Sequence, residues 1–310
     1  MDDKFKSFME NLPAGKIAVA LSGGADSMAL MHWCRALNLD ITAITIDHGL
    51  RPESSAEAGF AKAAATKIGV PHHTLAWRGE KPNTGIEESA REARYGLLLD
   101  FCRENDIKIL MTAHHADDNI ETFLMNLGRG SGLFGLAGMR PLSTMNDIIV
   151  ARPLLEVRRA RLRDWCAENK VEFVDDPMNE DEKFLRVRIR KNRHLLADKL
   201  DISDGRILSA LSALDRAREA SEKSVDDLVA QTGMENGRMK FSADFLFGLP
   251  AETRLKFFSR ALQMTGGEKY PPRLESLERA LSALSADTTI TLAHCVARRH
   301  NGAIVISKEN

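Results

Sequence analysis

Two short stretches of the chain concentrate residues that do chemistry. The first, Ser22-Gly23-Gly24-Ala25-Asp26-Ser27, lies between the apolar run Ile17–Leu21 and a second apolar stretch that begins at Met28. Adjacent glycines let the backbone approach a ligand and turn its N–H groups inward, and a helix starting there adds its positive end, so the segment suits a phosphate. Ser22 and Ser27 supply hydroxyl donors, and Asp26 suits a Mg²⁺ that bridges phosphate oxygens. The lysine that the Gly-Lys-Ser/Thr phosphate loop of ATPases requires is missing. The competing reading is a tight turn capped by Ser and Asp. The complete hexapeptide, set between an apolar strand and an apolar helix, favours nucleotide binding.

The second stretch is Ala113–Thr122, "AHHADDNIET". On a helix after His115, Ile120, Phe123, Leu124 and Leu127 form one apolar stripe, while Asp118, Glu121, Thr122 and Met125 share another face. Two carboxylates one turn apart repel unless a cation lies between them. Candidates are Mg²⁺, a substrate ammonium, or Arg91 and Arg94 of the preceding helix. Such a pair can recognise a cationic substrate and supply a base for an attacking amine. A solvated polar helix face is the alternative. Adjacent His114 and His115 point in different directions and have no supporting cysteine, which favours nucleotide contact or scaffolding over metal ligation.

Further candidates are less specific. His48 and Arg51 in "DHGLRPES" (Asp47–Ser54) suit nucleotide or RNA contact, but Asp47 and Gly49 equally suit a plain turn. "GRGSGLFGLAGM" (Gly128–Met139) has five glycines and low intrinsic helicity; it reads as a mobile connection that orders on substrate, with Arg129 available for phosphate, or as an ordinary glycine-rich link. Between Arg186 and Arg193, "RVRIRKNR" carries five basic residues and no acidic one, a natural contact for RNA phosphates, and Arg158–Arg163 adds a second basic patch. Either patch is alternatively a surface of scattered ion pairs.

The elements that must position these residues follow a simple order. Strand-like runs at Ile17–Leu21, Ile41–Ile46, "HHTLAW", Ile107–Thr112 and "IIVARPLL" alternate with helical patterns at Met28–Leu37, Ser54–Ile68, Ile86–Asn105 and from about Asp117. The alternation indicates a doubly wound α/β fold with a mostly parallel, Rossmann-like sheet. "SGGADS", "DHGLRPES" and "AHHADD" each follow a strand, so they converge on the carboxyl rim where such sheets bind ligands. Beyond about residue 200 come three helical runs and an alternating segment about Asn301-Gly302 that reads as a hairpin. The expected division is a catalytic domain at 1–200 and a mainly helical domain at 201–310.

Composition excludes several classes. With 28% charged and 44% hydrophobic residues the chain reads as globular, and no apolar run reaches membrane-spanning length. The N-terminal "MDDKFKSFME" shows no secretory signal. Cys34, Cys102, Cys166 and Cys295 are far apart, which argues against a disulfide framework or an iron–sulfur site and for a reduced, cytoplasmic setting. A net charge of −1 does not mark a nucleic-acid binder, so any RNA contact has to be local.

Ser22-Gly23-Gly24-x-Asp26-Ser27 resembles the pyrophosphate loop of the N-type ATP pyrophosphatases, the PP-loop enzymes. Together with "DHGLRPES", "ESAREARY" (Glu88–Tyr95), "AHHADDNIET", "GRGSGLFGLAGM", "RPLL" (Arg152–Leu155) and "DDPMNEDEKFLRVRIR" (Asp175–Arg190), in that order, the chain resembles the tRNA(Ile)-lysidine synthetases over roughly its first two-thirds. The resemblance implies cleavage of ATP between its α and β phosphates. It implies transfer of AMP to the wobble cytidine of a CAU-anticodon isoleucine tRNA, then attack of free L-lysine on C2 to give lysidine and AMP. It further implies nucleotide contact by residues 22–27, His48 and His115, Mg²⁺ at Asp26, and catalytic roles for Asp26, Arg94, Asp118, Glu121 and Arg186, with Asn179 a further candidate. The chain departs from the family pattern at Val187, where asparagine is frequent, and in lacking a proline around Leu195–Leu200. Oligomeric state is left open, a homodimer included. The rival readings are a related tRNA cytidine thiolase, for which paired cysteines are missing, and a non-catalytic RNA-binding protein that uses its nucleotide loop as a switch.

Overall fold

The run Ile17–Leu21 is buried on both sides, Ala18 and Val19 alike, as the central strand of a parallel sheet must be. In the computed structural model it forms β1 (Ile17–Ala20), with β2 (Ile41–Asp47) and β4 (Ile109–Met111) paired parallel on either side. The structure describes residues 1–47, 49, 54–77, 86–175, 181–268 and 271–309, with backbone alone at 86–91. Outside β2 lies β3 (His72–Ala76), and outside β4 lies β6 (Ile148–Ala151), both parallel. A further strand, β5 (Leu142–Met145), closes the edge antiparallel to β6, giving the order β3-β2-β1-β4-β6-β5. The order reverses between β1 and β4, and the crevice beyond their carboxyl ends is the ligand position of a doubly wound sheet.

Helices cover both faces. On one, α1 (Asp3–Glu10), α2 (Ala25–Ala36), α3 (Ser54–Lys67) and α7 (Arg159–Glu168) build a core with Trp33, Met31, Val19 and Ile109. On the other, α4 (Ile86–Glu104) sets Tyr95, Leu98, Leu99 and Cys102 against Ala18, Ile44 and Leu110. The helix after the second motif, α5 (Ala116–Gly128), is followed by one turn, α6 (Leu133–Leu136). Its apolar stripe is shorter than the sequence suggests. Ile120 is buried against Ile207 and Leu211, with Phe123 and Leu124 beside them, but Leu127 is 52% exposed.

The glycine-rich segment is ordered by α5. Asn126 Nδ2 donates to the Gly135 carbonyl at 2.7 Å, Asn119 Oδ1 accepts from Met139 N at 2.8 Å, and Ala137 is buried. Downstream lie α8 (Leu185–Asn192), α9 (His194–Leu200) and α10 (Asp204–Thr232).

Contacts divide the chain into two compact units, Met1–Ala213 and Leu214–Asn310. The second adds β7 (Met239–Ser242), α11 (Ala243–Gly248), α12 (Ala251–Gly266), α13 (Leu274–Ala283), β8 (Thr289–Leu292), β9 (Cys295–His300) and β10 (Ala303–Lys308). The expected hairpin is β9–β10, closed by Asn301 and Gly302 at φ 48° and 73°, the left-handed pair that a two-residue turn needs. It forms half of an antiparallel sheet ordered β7-β10-β9-β8, which packs on Phe257, Phe258 and Leu262 of α12.

Candidate active site

The first motif runs from the end of β1 into the first turn of α2. Gly23 takes φ +85°, and a Cβ there would lie 3.4 Å from the Phe60 ring. The Gly23 carbonyl accepts from Val174 N at 3.0 Å, and Gly24 caps α2. The buried hydroxyl of Ser27 braces the turn: it donates to the Gly24 carbonyl at 3.0 Å, accepts from Ser22 N at 3.2 Å and lies 3.1 Å from Ser22 Oγ. First-turn N–H groups, here those of Ala25, Asp26 and Ser27, have no acceptor within a helix, so they remain for an anion.

The second motif meets the first across the β1–β4 crevice. His115 caps α5 in a reciprocal box: Nδ1 accepts from Asp118 N at 3.2 Å, and Asp118 Oδ2 accepts from His115 N at 3.1 Å. With Nδ1 accepting, the neutral ring carries its proton on Nε2, which lies 3.5 Å from Asp26 Oδ2. Burial opposes charge on His115, but the hydrogen bond to Asp26 and the charges of Asp118, Asp26 and Asp117 outweigh it and raise its pKa above 6.5. Burial likewise works against the Asp118 carboxylate, yet His115, His114, the His115 amide and Arg186 hold its pKa below 3.8. Asp26 Oδ1 is buried with no hydrogen-bond partner.

Glu121 has a different setting from the one its sequence position suggests. It is 0% exposed, and the cations beside it come from α8. Arg190 donates through Nε to Oε1 at 2.7 Å and through Nη2 to Oε2 at 3.1 Å, while Arg186 Nε lies 3.6 Å from Oε2 and its Nη2 donates to Thr122 Oγ1 at 3.3 Å. Arg190, which the sequence offers only as part of a basic run, is thus the partner of Glu121, a pairing hidden from local patterns because the two lie 69 positions apart. Val187, the departure from the family pattern, is the buried residue of α8.

The chain matches the model of the PP-loop domain family over residues 1–195. It is 39% identical to the tRNA(Ile)-lysidine synthase of Methylobacterium nodulans over 308 residues, covering 96% of this chain and 91% of the relative. Against the tRNA(Ile)-lysidine synthase of Bradyrhizobium diazoefficiens it is again 39% identical, covering 97% of this chain and 87% of the relative. The chain belongs to the tRNA(Ile)-lysidine synthase family.

Among solved structures, the U34-tRNA thiolase NcsA from Methanococcus maripaludis superposes with a TM-score of 0.58 at 15% identity, covering 69% of this chain and 79% of that one, which shows a shared fold. As a member of the PP-loop family the chain carries an ATP-binding fold. Four buried cysteines set this lysidine synthase family member apart from thiolate chemistry: burial pushes the Cys34 and Cys102 thiols up to about 12 and Cys166 to about 11.

The remaining candidates fall as follows. Arg94 is exposed on α4, and the cations found at Glu121 are Arg186 and Arg190 instead. His48, Arg51 and Asn179 lie outside the described residues, as does the side chain of Arg91. Asp47 behaves as a turn former, its Oδ1 accepting from Gly49 N at 2.9 Å and from Ser54 Oγ at 2.6 Å. Arg129 is exposed and caps the end of α5. The basic run is largely paired within the chain: Arg186 and Arg190 on Glu121, Lys191 on Glu182, Arg193 on Asp117. Among the described residues Arg188 is exposed and has no ion pair. In the second patch Arg163 grips Asp175 through two bonds, and Arg161 meets Glu168. No helix among the described residues is long and apolar enough to cross a membrane.

Proposed function

We propose that this chain ligates free L-lysine to C2 of the wobble cytidine in a CAU-anticodon isoleucine tRNA, consuming ATP and releasing AMP and pyrophosphate in the cytoplasm. The observation that carries the reading is the meeting of Asp26, from the phosphate loop, with His115 and Asp118, from the second motif, in the β1–β4 crevice.

Roles follow from the contacts. Residues 22–27 hold the departing pyrophosphate through the first-turn amides of Ala25, Asp26 and Ser27 and the hydroxyl of Ser22, which Ser27 keeps in place. The orphaned Oδ1 of Asp26 fits a Mg²⁺, which would supply charge neutralisation for the phosphates held by the loop. His115 orients Asp26 through Nε2 and Asp118 through the cap.

The cytidine O2 attacks the α-phosphorus, the bond to the β-phosphate breaks, and C2 now carries AMP as its leaving group. An amine of lysine adds to C2, losing a proton, and AMP departs with the former O2. Asp118 is the carboxylate assigned to the lysine amine, as ion partner and proton acceptor, because both oxygens of Glu121 are occupied by arginine. Glu121 instead holds Arg186, whose half-exposed guanidinium keeps donors for a substrate phosphate.

The test is incubation with ATP and labelled lysine, with and without the CAU tRNA. Label must enter tRNA only when ATP is present, with AMP released. Release of ADP, or no incorporation, overturns the proposal.

A further inference from the structure

Helix α8 brings Arg186 and Arg190 to the site, yet little apolar surface holds it there. Val187 is its buried residue, and Leu185 is 41% exposed. Its attachment to α5 is ionic at two points, four residues apart on α5, which places both grips on one helical face. Glu121 takes Arg190 and Arg186, as described. The other grip is Asp117, which neither the ATP loop nor the assigned chemistry uses.

Asp117 is buried, its side chain 6% exposed. Oδ2 accepts from Arg159 N at 2.8 Å, and Oδ1 accepts from Arg158 Nη2 at 3.0 Å and from Arg193 Nη2. Arg193 closes α8 as its C-cap and begins α9. Asp204, at the start of α10, takes a second contact from each arginine, bonding Arg158 Nη2 and lying 3.5 Å from Arg193 Nη2. The other end of the Arg193 guanidinium, Nη1, is buried with no acceptor, so its hold rests on Nη2 alone. Burial works against the Asp117 charge, but the Arg159 amide, Arg193 and Arg158 overcome it and depress its pKa below 3.8.

We infer that Asp117 is a positioning residue: through Arg193 it fixes the C-terminal end of α8 and so the approach of Arg186 and Arg190 to Glu121. The inference deepens the proposed ligase reading and rests on it for its activity arm. Neutralising Asp117 leaves Arg193 with the 3.5 Å contact to Asp204, and α8 is then held at its middle only. Among the described residues, β1, α2 and the phosphate loop make no hydrogen bond or ion pair to Asp117, Arg158, Arg193 or Asp204, so the inference requires ATP binding to be unaffected.

The test variant is Asp117→Asn, which keeps the acceptor for Arg159 N and removes the charge. Three measurements on the full-length protein decide the matter. Hydrogen exchange needs no activity: the amides of residues 185–192 exchange about tenfold faster or more, while those of 17–20 and 25–36 are unchanged. Affinity for a non-hydrolysable ATP analogue stays within about twofold, and lysine incorporation falls on the order of tenfold. In an Arg186→Ala background the substitution has little further effect on incorporation, because its route through Arg186 is already gone.

Unchanged exchange in 185–192 overturns the inference, as does a full additive loss on top of Arg186→Ala. General unfolding would speed exchange everywhere and weaken ATP binding, which also counts against it. Arg193→Lys, which keeps charge but not the fork, is the second variant and must reproduce the exchange pattern in weaker form. If the wild-type protein incorporates no lysine, the ligase reading fails while the exchange result still stands or falls alone.

Discussion

Replacing Glu121 by glutamine separates a structural carboxylate from a reacting one. The substitution preserves shape and removes the charge that Arg190 and Arg186 share. Deleting one partner of a buried ion pair costs about 3–5 kcal/mol, because the other charge is left stranded. Here the stranded guanidiniums retain 22% and 38% exposure, and glutamine keeps one oxygen for an N–H donor. Those two factors bring the expected cost down to about 2–3 kcal/mol. For a unit of roughly two hundred residues that lowers Tm by about 4–12 °C. Calorimetry measures the shift, and lysine incorporation well below the melting range measures activity. The double variant Glu121→Gln with Arg190→Met removes the more buried of the two stranded charges and regains part of the stability while activity stays low. A Glu121→Gln protein that melts within about a degree of wild type would refute the reasoning, since the pair then contributes little.

Other expected outcomes follow from the same contacts. Gly23→Ala forces a left-handed φ on a residue with a Cβ and costs about 1–2 kcal/mol at the loop, so calorimetric affinity for an ATP analogue falls about tenfold; an unchanged affinity contradicts the loop's role. Asp26→Asn removes the charge behind the unpartnered Oδ1, and pyrophosphate release falls about a hundredfold or more in Mg²⁺ while the fold is kept; undiminished release contradicts the assignment. The raised pKa of His115 means its pairing stabilises the fold fully below pH 6.5 and less as pH rises through the folded value. His115→Gln should therefore shift the urea midpoint more at about pH 6 than at about pH 9, and the opposite trend would refute the sign. Arg186→Ala should weaken tRNA binding and reduce its salt slope by about one while ATP binding is spared; a gel shift with an unchanged salt slope contradicts phosphate contact.

Local patterns in the sequence carried the catalytic frame, and long-range pairing was where they ran out. "SGGADS" is legible because strand, glycines and helix start are neighbours in the chain, and the order of strands and helices places "AHHADD" on the same rim. Short edge strands were missed: β5, β7 and β8 have four residues each, too few for alternation to show. The turn between β8 and β9 also escaped, since Ala293 and His294 adopt φ 53° and 52° without the Asn or Gly that signals such turns. Glu121 reads locally as part of a polar face, and only the fold reveals that Arg190 takes it out of water. For the same reason the sequence leaves the basic run from Arg186 open between an RNA surface and a set of ion pairs, because its acidic partners at positions 117, 121 and 182 are remote or on another element. Asp117 was hidden beside Asp118. Two adjacent aspartates at a helix start look like one cap, while the structure gives one of them to the cap and the other to Arg158 and Arg193.

The central claim is that AMP is passed to the cytidine oxygen and later carries it away. It can be followed with a heavy oxygen isotope placed at C2 of the wobble cytidine. During turnover with ATP and lysine, the isotope must appear in the phosphate of AMP, one atom for each lysidine formed. Isotope retained in the tRNA, or lysidine formed with unlabelled AMP, would contradict it.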